Sequence, residues 1–246
     1  MNLVYLRYEV IRLFRNKRFF IFSLIIPLGL YFTIAGGNKD QTVDIGFGAI
    51  KFPLFYMVSM AGYGAMIAAM GGGARVAMER SVGWNRQLRL TPLSPVMYFT
   101  AKVLTAYVMA VCSIVLIYAA GVTMGVHLSA AHWAETTGLI LVAVIPFAAL
   151  GLLVGHLMSA ESIGPVMGGA GAFFSILGGI WFPLPDHGFM HDFGQQLPSF
   201  WIAQAARTAY GGDAWPAKAW LIIIGWTVVL AALTVRVYQR DTARVV

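Results

Sequence analysis

The chain has 246 residues, 59% of them hydrophobic and 11% charged, against about 25% charged in an average soluble domain. Seventeen Lys and Arg against ten Asp and Glu give a formal net charge of +7, and the mean hydropathy is +0.74. Too few polar residues exist to cover a core of this size in water, so a large soluble domain is excluded and a bilayer is the natural solvent.

Residues 1–18 come first. Leu3, Leu6, Val10, Leu13 and Phe14 recur at helical spacing, and Arg7, Arg12, Arg15, Lys17 and Arg18 supply charge. This pattern predicts an amphipathic helix lying on the inner leaflet and turning into the membrane near Asn16. Six stretches then lack Asp, Glu, Lys and Arg: 19–38, 52–74, 103–133, 136–160, 162–185 and 219–235. Each reaches the roughly 17 residues that a spanning helix needs. A charge at the bilayer centre costs about 2.5–3.5 kcal/mol on insertion scales, so keeping charge out of all six is informative. The first stretch is too long for a signal peptide and no small-x-small cleavage site follows it, so it reads as a retained helix.

The connections differ in length. The outer loop 38–51 is short and contains glycine, and the outer turn 127–135 is shorter. The turn 156–161 is tight. The outer segment 183–217 is long and holds FGQQLPSFWIAQAARTAY. Pro198 and Ser199 look like a helix start, with Phe200, Trp201, Ala205 and Ala209 on an apolar face. A short helix or re-entrant pair dipping into the outer leaflet is expected there, covered by protein or reached by water. Gly121/Gly125, Gly151/Gly155 and Gly164/Gly168 form GxxxG pairs, and Gly71–Gly73 is a triplet; such spacing lets helix backbones approach closely. Cys112 is the only cysteine, which excludes an intrachain disulfide and a cysteine metal cluster.

An even number of spans puts both termini on one side. Placed in the cytoplasm, that side holds Arg7, Arg12, Arg15, Lys17, Arg18, Arg75, Arg80, Arg86, Arg89, Lys102, Arg236, Arg240 and Arg244. The outer side holds Lys39, Lys51, Arg207 and Lys218. The positive-inside rule selects this orientation. The net charge is therefore a topology signal, and nucleic-acid binding is not implied.

Chemistry is sparse. The sequence has no G-x-x-x-x-G-K-[ST], no H-E-x-x-H and no G-x-S-x-G. No Asp, Glu or Arg falls at expected membrane depth, which argues against an internal proton or sodium relay and places the energy source on another chain. A membrane enzyme lacks paired catalytic residues at that depth. Asp186, His187, His191 and Asp192 offer two histidines four apart, as a helical metal pair needs, but Pro185 and Gly188 favour a solvated loop. His156 at an inner helix end suits a dipole-favoured or interfacial position. Phe52, Phe55, Tyr56, Met57, Met60 and Tyr63 in the second span, with Phe173, Phe174, Trp181 and Phe182 in the fifth, suit either a surface for varied apolar ligands or plain packing. Phe55, Met57, Met60, Phe173, Phe174 and Trp181 are the candidate substrate path.

One charged segment interrupts the apolar runs: MERSVGWNRQLRLTPLSP, residues 78–95. Thr91-Pro92 disfavours a continued helix. Ser94-Pro95 reads as an N-cap with Pro at the first helical position. A short helix over 77–90 is therefore expected, with Trp84 and Leu88 on one face and Glu79 and Arg86 on another. Spacing leaves two roles open: docking into another protein, or lying on lipid headgroups.

The run ERSVGWNRQLRLTPLSPVMYFTAKVL resembles the inner loop of ABC-2 type transporter permeases, where a Glu–Arg, a Gly and a Thr-Pro precede a helix bearing Lys. Here these are Glu79, Arg80, Gly83, Thr91, Pro92 and Lys102. The resemblance covers the whole chain, including the basic N-terminal helix, Leu197-Pro198…Arg207 and the short basic tail. It implies an all-α membrane protein with six transmembrane helices in one permease domain, 1–246. An interfacial helix (1–18), a cytoplasmic coupling loop (77–95) between spans 2 and 3, and an outer segment (183–217) of short helices would complete it. It implies a non-catalytic exporter subunit in the plasma (inner) membrane, both termini cytoplasmic. Two P-loop ATPase subunits and a second permease, identical or not, would be its partners. ATP and Mg would bind on the ATPase, with no cofactor on this chain. Glu79, Arg80, Gly83, Trp84, Arg86, Leu88, Arg89, Thr91 and Pro92 would couple it to that ATPase. A hydrophobic substrate (an antibiotic, drug or lipid) suits the outer aromatics better than a polysaccharide or glycolipid. The alternative from another class is a six-helix channel or membrane scaffold that needs no ATPase.

Overall fold

The computed structural model describes residues 3–15, 17–44, 49–84, 87, 90–91, 93–208 and 215–243. The described chain is mostly helical. Helix α1 spans Leu3–Arg15; α2 spans Lys17–Leu30 and runs into a π-helical turn, Tyr31–Ala35. Two short strands follow, β1 (Thr42–Asp44) and β2 (Ala49–Lys51). Then come α3 (Phe52–Ser81), α4 (Pro95–Thr123), α5 (Ala130–Ala143), α6 (Ile145–Leu157) and α7 (Ile163–Leu177). The last are α8 (Phe189–Gly194), α9 (Pro198–Thr208) and α10 (Ala217–Ala243). The helical expectation holds in the main; the strands form one small hairpin in the outer loop, antiparallel with Val43 opposite Ile50.

Among the described residues, four helical runs are long and apolar enough to cross a membrane: Phe52–Ser81, Pro95–Thr123, Ala130–Leu157 and Ala217–Arg240. Two of the six charge-free stretches yield shorter apolar helices, Ser23–Ala35 and Ile163–Leu177. Helix α2 passes without a break into the π-helical turn and on to Gly37, with Pro27 inside it. Helix α7 stops at Gly178, and Gly179 at φ +72° turns the chain out of the helix. The third long run is broken at Val144, between α5 and α6, beside Pro146. Tyr107 Oη on α4 donates to the carbonyl of Leu141 just before the break, at 2.8 Å.

Helix α3 is the central element. It packs on α2, α4, α6, α7 and α9. Its sequence explains this, because small and apolar residues surround it on every side, and a helix apolar all round is buried. The closest approach is to α6. A Cβ on Gly73 would collide with the backbone of Gly151, one on Gly151 with the backbone of Met70, and one on Gly155 with the backbone of Gly73. Of the expected glycine pairs, Gly151/Gly155 is thus a packing contact, and Gly121 lies against Met57. Gly125 instead ends a helix at φ +81°, and Gly164 and Gly168 have open space beside them.

The segment between α7 and α10 does fold into a short helical pair, α8 and α9. Phe200, Trp201, Ile202 and Ala205 are buried, with α9 packed on α5 and α3. Ala209 lies outside the described residues. Helix α10 packs on α6 along one side and exposes Leu221, Ile224, Val228 and Val229 on the other. An apolar exposed face of this extent suits a lipid surround.

Gly151→Ala should overpack the α3–α6 crossing at a cost of about 1–3 kcal/mol, whereas Gly168→Ala should be near neutral. Thermal unfolding of the detergent-purified variants checks this; equal melting temperatures would mean that the crossing has slack.

Candidate functional site

Charge inside this protein is concentrated where α3 ends and α4 begins. Helix α4 starts as its sequence dictates: Ser94 is extended, its Oγ accepts the amide N–H of Met97 at 3.3 Å, and Pro95 follows. Lys102 lies two turns into α4. Its side chain is buried, and Nζ donates to Glu79 Oε1 at 2.6 Å and to Glu9 Oε2 at 2.9 Å. Glu79 and Glu9 are buried at 1% and 3% exposure. One ammonium thus joins a carboxylate from α3 to one from α1.

Further donors complete the cluster. Tyr98 Oη donates to Glu79 Oε2 at 3.2 Å, and its ring centroid lies 5.3 Å from Lys102 Nζ. Arg12 Nη1 donates to Glu79 Oε1 at 2.8 Å, while 52% of the Arg12 side chain stays exposed. Arg75 Nη2 donates to Thr105 Oγ1 at 3.2 Å, and Thr105 in turn donates to the carbonyl of Lys102 at 3.0 Å. The phenol of Tyr5, on α1, is pushed above its ordinary range by burial first and by the Glu9 and Glu79 charges next, so it stays neutral. A small apolar patch of Val76, Tyr98 and Leu152 flanks the ions. In so dry a setting each charge must be paired, because an unpaired one costs far more than a surface ion.

These positions correct two expectations. Glu79 does not lie on a separate loop helix. It belongs to the last turns of α3, which runs on to Ser81 before the chain turns at Val82 and at Gly83, φ +71°. Buried charge is also present, at the helix ends just beyond the charge-free stretches. Arg80 leaves the cluster and donates to the carbonyls of Gly155 (3.2 Å) and His156 at the end of α6. His156 is itself buried, with ring contacts to Phe99 and Tyr238.

The other coupling candidates lie in the loop beyond. Trp84 is exposed at 37%, and the Arg12 guanidinium sits 5.8 Å from its ring centroid. Thr91 is exposed. Arg86, Leu88, Arg89 and Pro92 lie outside the described residues. Leu90, which spacing did not single out, is 89% exposed. The sequence signal for the cluster was partial. Lys102 and Glu79 stood in one run of sequence, but Glu9 is 93 residues from Lys102 and nothing local announces the pair.

The candidate path residues separate. Phe55, Met57 and Met60 are enclosed in the core, Met57 against Gly121. Phe174 is buried edge-on to Phe147, at 5.0 Å between centroids. Phe173 is exposed on α7, and Trp181 makes an edge contact with Tyr63. On the opposite side, His187 precedes α8 while His191 lies within it, bonded to Gln195. Among the described residues, no group of three His, Cys, Asp or Glu could hold a metal ion.

Lys102→Met should lower stability by about 3–5 kcal/mol, since it leaves Glu9 buried without a cation while Glu79 keeps only the half-exposed Arg12. Arg12→Gln should cost under about 1 kcal/mol, because that partner is half exposed and Lys102 remains. Denaturation of both purified variants distinguishes them, and equal shifts would deny Lys102 its central place.

Comparison with known proteins gives the family. Residues 38–236 match the family described as ABC-2 family transporter protein. A protein of Bacillus subtilis (strain 168) named "Putative transport permease YvfS" is 29% identical over 240 residues, covering 96% of each chain. No solved structure matches significantly. The Glu79–Lys102 pair and the loop between α3 and α4 lie inside the matched region, and on that match the chain belongs to the ABC-2 family of transporter proteins.

Proposed function

We propose that this chain is the permease subunit of an ATP-driven exporter and that the loop 82–94 receives a separate P-loop ATPase. The observation that carries this is the buried ion cluster at the base of that loop. Lys102 ties the helix leaving the loop to the helix entering it and to α1. A push on the loop is therefore transmitted to three helices together, which is what a subunit without a nucleotide site of its own requires. Gly83, Trp84, Arg86, Leu88, Arg89, Thr91, Pro92 and the exposed Leu90 would meet the ATPase. Glu79 and Arg80 would act behind them, Arg80 through the end of α6.

In this reading six spans cross the plasma membrane with both termini cytoplasmic. Helix α2 with its π-helical turn, and α7, are the two crossings beyond the four long runs. A second permease pairs with this one, and two ATPase subunits carry the ATP and Mg. The substrate is hydrophobic. Exposed Phe173 and Phe182 support a route along α7, while the enclosed Met57 and Met60 would reach it only after α3 moves.

Gly83→Pro should abolish substrate-stimulated ATP hydrolysis in the assembled complex while leaving membrane insertion intact, because proline cannot adopt φ +71°. Leu90→Asp should weaken capture of the ATPase by tagged permease. Substrate movement by the purified chain alone in vesicles, with no nucleotide, would sink the proposal.

A further inference from the structure

A cleft of about 580 Å³ opens between α1 and the start of the loop, lined by Tyr8, Ile11, Arg12, Arg15, Val82 and Trp84. Tyr5 and Glu9 also line it. The Glu9 carboxylate is already matched by Lys102, so it does not cancel the cleft's positive charge. Arg12 spends one nitrogen on Glu79 and lies against the Trp84 ring, leaving other N–H groups of its planar fork open. Arg15, one turn further along α1, is exposed and pairs with no carboxylate among the described residues. Two guanidinium groups thus share one rim, and tyrosine and tryptophan stand beside them.

The same helix face says what covers it. Val4, Tyr8, Ile11 and Phe14 are exposed at spacings of three and four, so α1 presents an apolar stripe outward as well as a protected one inward. Tyr8 and Ile11 belong both to this stripe and to the cleft. An apolar stripe flanked by arginines is the pattern of a helix lying at the membrane surface. On α1's other flank a groove of about 220 Å³, lined by Leu6, Val96, Met97 and Leu104 among others, is almost wholly apolar. We propose that the cleft holds the headgroup of an anionic phospholipid, its phosphate between Arg12 and Arg15 and its chains along α1. Bidentate Arg–phosphate contact supplies the charge-assisted hydrogen bonds. Because Arg12 also holds Glu79, the bound lipid ties α1 to α3. The site needs only a membrane around the chain and stands independently of any ATPase or substrate.

Native mass spectrometry of the full chain in mixed micelles of phosphatidylglycerol and phosphatidylcholine tests it. Phosphatidylglycerol should be retained in preference. Arg15→Gln, which touches none of the buried ions, should reduce that retention about fivefold with the melting temperature unchanged. Trp84→Ala should reduce it as well. Equal retention of the two lipids, or an unchanged preference in both variants, overturns the site. Displacement by inorganic phosphate at modest concentration would reduce it to a simple anion site and also overturn it. Loss of a bound ATPase from the variants with lipid retention intact would reassign the surface to protein docking.

Discussion

Everything at one end of this bundle depends on where the Lys102 ammonium sits. It is enclosed between two carboxylates from helices far apart in sequence, and a buried charge has few acceptable positions. That constraint fixes α1 against α3 and α4 more specifically than apolar contact would, since apolar faces slide at little cost while an ion pair does not. It also explains why a basic N-terminal helix carries Glu9 on its inward face. Tyr98 and Thr105 supply further hydrogen bonds and the neutral Tyr5 phenol lies beside them, with Arg12 on the open side of the cluster.

A second constraint is steric. Along α3, glycines remove the side chains that would hold α6 away, and backbone meets backbone at Gly73 and Gly151. Lipid offers little hydrophobic drive for helix association, so close van der Waals approach must supply it. The two constraints act on the same helix at neighbouring positions. Arg80 links them, reaching from the end of α3 to the end of α6.

Much of the membrane architecture was legible in the sequence because charge exclusion is a one-dimensional signal. The long runs, the Ser94-Pro95 restart and the outer helix at Pro198 are local patterns with local causes. The failures are also physical. Charge exclusion counts residues and ignores Gly179, so it ran the fifth stretch on to Pro185 where α7 ends at Leu177. Periodicity assigned Glu79 to a loop helix, because nothing nearby says that its partner is Glu9's neighbour, Lys102. Methionines and aromatics in α3 read equally well as a ligand surface or as core, and only packing separates Met57, which is enclosed, from Phe173, which is not.

The interruption at Val144 has a mechanical consequence. Helix α5 rests on α9, whereas α6 is clamped to α3 and α10. A continuous rod would force those two assemblies to tilt together. Pro146 has no N–H to donate, so the hydrogen-bond ladder is thinner here, although Val144 keeps helical dihedrals and its amide donates to the carbonyl of Ile140. The run is therefore weakest at Val144, and a bend between the part resting on α9 and the part clamped to α3 and α10 would be taken up there, within α4's reach.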